Sequence, residues 1–244
     1  MSQVEPREGE MSMRDGYEQS GVAMTCRGFA EYGKMFGLTM DHLLDGEVLD
    51  VAAGASSFIA ESGEHGLQAI AIDPRYGQKP DLLTVEAAEE IASSTAKLAG
   101  LADRYDWSYY GDLERHRAGR AASLAKFAAD YRKPDSRERY LAGALPELPV
   151  KSGRFATVIC SHFLFLYGEQ FDAAFHEAAV RELMRVCRPG GRVLIYPLVT
   201  LQFQLYPELD QLLAAVKQAG GRYSLEETGL PFIPGSTHLL RIIT

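Results

Sequence analysis

Short apolar runs, separated by longer segments of helical periodicity, make up most of the chain after residue 47. The clearest are Val48–Val51, Leu67–Ile72 and Phe155–Ser161, each bounded by glycine or charged residues. Runs of this kind are typical of strands that are buried on both faces. Because such strands alternate here with helical segments, the pattern predicts an α/β fold, with a mostly parallel sheet and helices on both faces.

Apolar residues at helical spacing predict four helices outside the middle of the chain. They cover residues 24–38, 57–65, 171–187 and 207–219. Gly66 follows the second of these helices and is expected to cap its C-terminus.

The remaining strands are expected near the end of the chain. Residues 188–191 (Arg-Pro-Gly-Gly) predict a turn into a strand over 192–196. Two further strands, 222–226 and 238–243, leave no room for a helix between them, so they are expected to pair antiparallel. Residues 140–142 are the candidate for the remaining strand, which would give a seven-stranded sheet with an antiparallel last strand.

The segment from about residue 81 to 139 is much longer than a strand-to-strand crossover requires. It contains two predicted helices, 84–101 and 118–131, with an aromatic cluster between them. We therefore expect a helical cap inserted after strand two of a single domain that spans 21–244. Residues 1–20 are polar, lack an apolar period and are expected to form a flexible tail.

The end of the first strand has the residues of a ligand-binding turn. Asp50 is followed by Ala52, Gly54 and Ser56, whose small side chains let backbone N–H groups approach a ligand closely. Asp73 ends the second strand, where a carboxylate accepts hydrogen bonds from the hydroxyls of a ribose. The pair predicts a nucleotide-type cofactor site.

Four segments in this order resemble the class I S-adenosylmethionine-dependent methyltransferases, and the likeness covers about residues 25–244. Val48-Leu-Asp-Val-Ala-Ala-Gly54 is similar to the first motif of that family and Asp73 to its ribose-binding acid. Residues 148–162 are similar to its fourth strand, and residues 183–195 to the helix, turn and fifth strand that follow. The resemblance implies a Rossmann-like fold, S-adenosylmethionine as cofactor and methyl transfer as the activity.

The same resemblance implies a set of cofactor-binding residues in this chain. Adenine would lie against the segment before Leu148, where the family often carries an acidic residue and this chain has Ala144. The implied cofactor residues are Asp50, Ala52, Gly54, Ser56, Asp73, Ala144, Leu145 and Ser161.

Ala52 and Ser56 stand where the family usually has glycine, which leaves two alternatives to weigh. A degenerate, non-catalytic cofactor-binding module is one of them. A dinucleotide dehydrogenase is the other, but its glycine-rich loop does not align with residues 52–57 without losing most of its glycines.

The expected acceptor is a small molecule, methylated on oxygen or nitrogen. His162 follows strand four, where open α/β sheets bind their ligands, and is the candidate general base. A structural histidine bonded to a backbone carbonyl is the competing interpretation. Simple packing competes likewise with a substrate-binding role for the aromatic candidates, which are Tyr105, Trp107, Tyr109, Tyr110 and Tyr167.

The net charge of −8 and the pI near 5.3 weigh against a nucleic-acid partner. The insertion is the most basic region, with Arg117 and Arg120 among its cations, so an RNA or protein methyltransferase remains an alternative. Interleaved acids favour a mixed-charge surface instead. The histidines lack the spacing of metal ligands, so we expect no metal site. No apolar run is long enough to span a membrane, so we expect a cytoplasmic protein. A homodimer is left open.

Overall fold

The computed structural model describes residues 16–19 and 21–244. Most of the predicted flexible tail, residues 1–15 and 20, lies outside the described residues. Within the described part of that range, the Tyr17 backbone N–H donates to the Leu201 carbonyl oxygen at 2.8 Å. The extent of the single domain stays a prediction.

The sheet has the predicted seven strands, and its last strand in sequence is antiparallel to both neighbours. From edge to edge the order is β3-β2-β1-β4-β5-β7-β6, with β1 to β5 mutually parallel and β7 antiparallel to β5 and β6. The strands are β1 (Val48–Val51), β2 (Ala69–Ile72), β3 (Tyr140–Leu141), β4 (Phe155–Ser161), β5 (Cys187–Tyr196), β6 (Arg222–Glu227) and β7 (His238–Ile243). The α/β prediction is confirmed.

The described helices include all those predicted from periodicity and one short helix that was not. They are α1 (Phe29–Phe36), α2 (Met40–Leu44), α3 (Phe58–Glu64), α4 (Pro80–Ala99), α5 (Leu113–Tyr131), α6 (Ala173–Val186) and α7 (Leu209–Gln218). The unpredicted helix is α2, which is capped by Thr39, whose hydroxyl oxygen accepts from the His42 N–H.

The prediction of one helix over 24–38 is wrong at its N-terminus. Helix α1 begins only at Phe29, after Gly28 in an extended conformation. Residues 22–27, which we call the strap, hydrogen-bond instead to the loop after β1. The Ala55 N–H donates to the Thr25 carbonyl at 2.8 Å, and the Arg27 N–H donates to Ser56 Oγ at 3.2 Å. Tertiary hydrogen bonds override the apolar spacing here.

The turn predicted at residues 188–191 lies inside β5, so this prediction also needs correction. The pairing with β4 moves from Phe155–Cys187 to Thr157–Arg192, which leaves extra residues in β5. The extra residues form a bulge, and Gly190 takes a φ of +75° within it. Gly-Gly therefore marks an irregular strand start rather than a separate turn.

Two apolar cores lie on opposite faces of the sheet, as the alternation of side chains along a strand requires. Val48 of β1 faces the core built with α1, α3, α4 and α5, whereas Leu49 and Val51 face the core built with α6 and α7. The insertion thus contributes to the body of the domain as well as covering it. Phe127 and Tyr131 of α5 pack beside Tyr76, next to the β2 end of the sheet.

Candidate functional site

Asp73 lies at the carboxyl end of β2 and is held in place by two backbone donors. Its Oδ2 accepts from the Gly54 N–H at 3.1 Å, and its Oδ1 accepts from the Arg75 N–H at 2.9 Å. A carboxylate has about four lone-pair sites, so both oxygens can still accept bonds from a ligand. Burial raises the pKa of Asp73, and the two N–H bonds and Arg75 oppose that rise.

The loop after β1 takes the tight turn that its small residues predicted. Ala52 has a φ of +56°, a conformation that normally favours glycine. Gly54 has a φ of +60°, and a Cβ there would lie 2.7 Å from the Thr25 carbonyl oxygen. Gly54, which has a positive φ and is pressed against the strap, therefore has no room for a side chain, whereas the partly buried Ala52 has room for its methyl group.

A cavity of about 270 Å³ opens above these strand ends, and we call it the strand-end cavity. Four of the predicted cofactor residues line it, namely Ala52, Asp73, Ala144 and Leu145. Its remaining walls are largely apolar, and they include Phe163, Phe171 and Phe175. An acidic group at one side with aromatic walls around it suits a ribose joined to a flat heterocycle.

The other predicted cofactor residues do not line this cavity. Gly54 and Ser56 are bonded to Asp73 and the strap, as described above, and Ser161 Oγ is 2.8 Å from His162 Nδ1. Asp50 is fully buried and accepts a hydrogen bond from the Tyr32 hydroxyl at 2.8 Å. Burial raises the pKa of Asp50 to about 8, and the Tyr32 bond opposes that rise. Gly54 and Ser56 are thus part of the loop itself, whereas Asp50 lies beneath it in β1 and Ser161 ends β4.

A second cavity, of about 80 Å³, lies between the strap, the insertion and the loop around Phe232. We call it the insertion cavity. At roughly 10–15 Å³ per water site, its enclosed part suits a small ligand. Its walls combine apolar and aromatic side chains with several buried polar ones, chiefly Arg27, Arg120, His116 and His162.

His162 lines both cavities, and so do Ala23 and Thr25 of the strap. The His162 backbone is held at a φ of +53°, and its N–H donates to the Tyr196 carbonyl at 2.7 Å. With Nδ1 next to Ser161, Nε2 is buried and has no hydrogen-bond partner among the described residues. Burial first, and then the charges of Arg27 and Arg120, hold the pKa of His162 well below its usual range. The imidazole is therefore neutral near pH 7.

The aromatic candidates separate into two groups. Tyr105 and Tyr167 line the insertion cavity, and the Tyr167 hydroxyl accepts from the Ala23 N–H at 2.8 Å. Trp107 packs behind the wall, with its ring centroid 5.2 Å from that of Phe232, and Tyr110 donates from its hydroxyl to Glu31. Tyr109 is 40% exposed. The structure thus brings two of the five to the cavity.

Sequence reasoning missed His116 and Arg120 as residues of the site. Both lie on α5, are buried and line the insertion cavity. The sequence did contain a sign of their burial. One face of α5 repeats at helical spacing and is buried, and it comprises His116, Arg120, Leu124 and Phe127. Arg120 was grouped with the other basic residues of the insertion, so its place in the cavity was not predicted.

Two absences concern residues 16–19 and 21–244, the part of the chain that the structure describes. No group of three or more side chains that could hold a metal ion lies together there. In the same residues, no helix is long and apolar enough to cross a membrane.

Comparison with known proteins adds a match and several similarities. The family described as methyltransferase domain matches residues 118–195. An uncharacterized protein of Methanocaldococcus jannaschii is 29% identical over 217 residues, which cover 88% of this chain and 93% of that protein.

Solved structures of two methyltransferases are similar at lower identity. One, S-adenosylmethionine-dependent and from Aquifex aeolicus, is 14% identical with a TM-score of 0.40, over 87% of this chain and 90% of that one. The other, a TehB-like S-adenosylmethionine-dependent enzyme from Corynebacterium glutamicum, is 13% identical with a TM-score of 0.42, over 82% and 79%.

The strand order, the tight loop after β1 and the acid that ends β2 define a Rossmann-like domain with a ligand site at its strand ends. The match to a methyltransferase domain over residues 118–195 covers β3, β4, α6 and most of β5 and agrees with this fold.

Proposed function

We propose that this chain transfers a methyl group from S-adenosylmethionine, held in the strand-end cavity, to a small-molecule acceptor in the insertion cavity. The observation that carries the proposal is the shared wall. His162, Ala23 and Thr25 border both cavities, so a ligand in one can meet a ligand in the other at this point.

The residues of the strand-end cavity fit the cofactor. Asp73 is in position to accept the two ribose hydroxyl hydrogens, because each of its oxygens keeps a lone pair beyond its backbone bond. Leu145 and the phenylalanine rings offer an apolar slot for adenine, and Ala144 stands where the family often has an acid. Adenine would then be held by backbone groups and packing rather than by a carboxylate.

When bound, S-adenosylmethionine supplies an electrophilic methyl group on a sulfonium. The chain has to align the acceptor with that methyl group and exclude water, which is catalysis by positioning. The strap borders the junction with Ala23 and Thr25, and Thr25 and His162 are the polar side chains that line both cavities.

His162 is the proposed general base. If Nδ1 carries the proton and donates to Ser161 Oγ, the lone pair on Nε2 is free to accept a proton from an acceptor hydroxyl or amine. Burial and the charges of Arg27 and Arg120 oppose a cationic imidazolium, so they keep Nε2 unprotonated but also make it a weak base. A weak base takes the proton only as the new methyl bond makes the attacking oxygen or nitrogen more acidic, which suits oxygen or nitrogen methylation.

The RNA or protein alternative draws little support from the basic insertion, because most of its cations are paired. Arg117 pairs with Glu114 at 2.5 Å, Lys126 with Glu61 at 2.6 Å, and Arg132 with Asp81 at 2.9 Å. Paired surface cations make a mixed-charge surface rather than a phosphate-binding stripe.

The non-catalytic alternative rests on the altered glycine positions. Ala52 adopts the conformation that the turn requires, and Ser56 accepts a bond from the strap. A module that only bound cofactor would also have no use for a second cavity that meets the first at a neutral histidine.

The experiment that tests the proposal follows the methyl group. Purified protein is incubated with methyl-labelled S-adenosylmethionine and, in parallel, with the small-molecule, protein and RNA fractions of a cell extract. We expect label to appear in small molecules. Label confined to RNA or protein would favour the first alternative, and cofactor binding without transfer to any fraction would favour the second.

A further inference from the structure

Arg120 is an unusual arginine, because its guanidinium is buried and lacks an acidic partner. Only 7% of the residue is exposed, and it lines the insertion cavity. Its Nη1 donates to the neutral Ser94 hydroxyl at 3.3 Å, while its Nε has no partner. Within residues 16–19 and 21–244, no carboxylate lies within ion-pair distance of it. Burying an unpaired charge is costly, so this arginine calls for an anion.

The second buried arginine of the cavity differs by having an acidic partner, although its Nε also lacks a hydrogen bond among the described residues. Arg27 is 4% exposed, and its Nη1 donates to Glu31 at 3.1 Å and to the Tyr110 hydroxyl at 2.8 Å. The two arginines therefore have different roles. Arg27 connects the strap to α1 and to the loop that holds Tyr110, whereas the charge of Arg120 is available to a ligand in the cavity.

The other polar groups around Arg120 are also unsatisfied. Neither ring nitrogen of His116 has a partner among the described residues, nor does Nε2 of His162 or Oε1 of Glu90. All three residues line the same cavity. Burial, followed by Arg120 and Arg27, lowers the pKa of His116 to about 2, so this imidazole is neutral. The cavity thus holds the Arg120 cation, which has no ion-pair partner among the described residues, beside two neutral histidines and the Glu90 carboxylate.

The charge of the missing anion follows from its neighbours. Glu31 already neutralises Arg27, and Glu90 adds a carboxylate to the cavity wall. A dianion such as phosphate would face Glu90 with only one free cation. A single negative charge, able to accept two parallel N–H bonds from Arg120, fits better, and a carboxylate has that geometry.

The remaining side chains of the insertion cavity indicate the chemistry of the part of the ligand that is not the carboxylate. Leu98, Leu166, Phe203 and Phe232 surround the polar groups with apolar surface. The Phe232 ring stacks on His116 at 5.0 Å and lies 4.8 Å from the Tyr105 ring. Such walls suit a small apolar or aromatic skeleton.

We propose that the methyl acceptor is a small apolar or aromatic monocarboxylic acid whose carboxylate binds Arg120 while its hydroxyl or amine faces His162. This inference rests on the proposed function. Arg120 is then a residue that determines specificity. The methyl carbon would form a bond to the oxygen or nitrogen that loses its proton to His162, while its bond to the sulfonium sulfur breaks and S-adenosylhomocysteine leaves. The carboxylate stays bound to Arg120 and is not methylated.

The test uses the full chain saturated with S-adenosylhomocysteine, a panel of small aromatic and aliphatic hydroxy and amino monocarboxylic acids, and the primary amide of each. Binding is followed by the shift in thermal unfolding and by calorimetry for every pair that shifts it. We expect acids to bind at least about tenfold more tightly than their amides, since a charged hydrogen bond contributes about 1.5–3 kcal/mol. Equal binding of acids and amides, no binding by any acid, or tighter binding of phosphate would overturn the proposal.

Two variants sharpen the test. Arg120→Gln should remove the preference for acids, whereas Arg117→Gln, an exposed arginine of the same helix, should leave it intact. If Arg120→Gln does not fold, Arg120→Lys keeps the charge and should retain a weaker preference. Binding of S-adenosylhomocysteine is measured first. Its absence would contradict the proposed function, whereas its presence without a preference for acids would contradict only this inference.

Discussion

The two cavities meet at His162 but are built in different ways. The strand-end cavity uses residues at the carboxyl ends of neighbouring parallel strands, such as Ala52, Asp73 and His162. The insertion cavity is assembled from α4, α5, the strap and the loop around Phe232, which are far apart in sequence. A strand-end site follows from the topology of the sheet, whereas the second site depends on how an inserted segment packs. The strand-end cavity therefore suits the cofactor, and the insertion cavity suits an acceptor that is specific to this chain.

The largest effect on methyl transfer is predicted for substitution of His162, which lies at the junction between the two cavities. His162→Asn should reduce methyl transfer by a factor on the order of 10²–10⁴, the usual contribution of a general base, and should change cofactor affinity little. Asparagine tolerates the positive φ of this position. Label transfer and calorimetry measure the two effects separately.

The exposed His238→Asn is the matched control and should behave as wild type. Full transfer by His162→Asn would show that the histidine serves only to hold the structure.

The strand-end cavity alone is tested by Asp73→Ala. Two bonds to a charged acceptor contribute about 3 kcal/mol or more, so cofactor Kd should rise roughly a hundredfold. Asp81→Ala removes an exposed acid at the start of α4 and should leave Kd unchanged. An unchanged Kd in Asp73→Ala would place the cofactor elsewhere.

Asp50, which lies beneath the loop after β1, leads us to expect that stability depends on pH. Burial raises the folded-state pKa of Asp50 to about 8, whereas an unfolded aspartate titrates near pH 4. Between these values the unfolded chain releases a proton that the folded chain keeps. The free energy of unfolding should therefore fall as pH rises, by up to about 1.4 kcal/mol per pH unit from this group.

Asp50→Asn keeps an acceptor for the Tyr32 hydroxyl and removes the titration. Denaturant unfolding from pH 4 to 8 should show a shallower fall for this variant, although Asp73 contributes a fall of the same sign. Identical slopes for wild type and variant would contradict an Asp50 that stays protonated.

The smallest effects concern two alanines of the same loop. Ala52→Gly should leave stability unchanged or raise it by up to about 1 kcal/mol, because glycine relieves the positive φ. Ala55→Gly should destabilise by about 1 kcal/mol, because Ala55 is fully buried and has no positive φ to relieve. Thermal unfolding of both variants checks the sign, and equal shifts would contradict the account of the turn.

The same contrast explains how much could be predicted from the sequence. Strand β4 was predicted at its observed bounds, and Asp73 and Ala52 were placed at one cavity, because strand tips of a parallel sheet converge. Residues 24–27 of the strap were predicted as helix because the hydrogen bonds that fix them, with the Ala55 N–H as donor and Ser56 Oγ as acceptor, involve a loop that is distant in sequence. Arg120 was counted as a surface charge because only the packing of α5 against Ser94 and the cavity shows its burial.

The most direct test of the central claim is calorimetric titration of the chain with S-adenosylmethionine and S-adenosylhomocysteine, with NAD and NADPH as controls. The account predicts micromolar binding of both adenosyl ligands and no binding of either nicotinamide cofactor. Absence of heat with both adenosyl ligands, or equal binding of NAD, would contradict it.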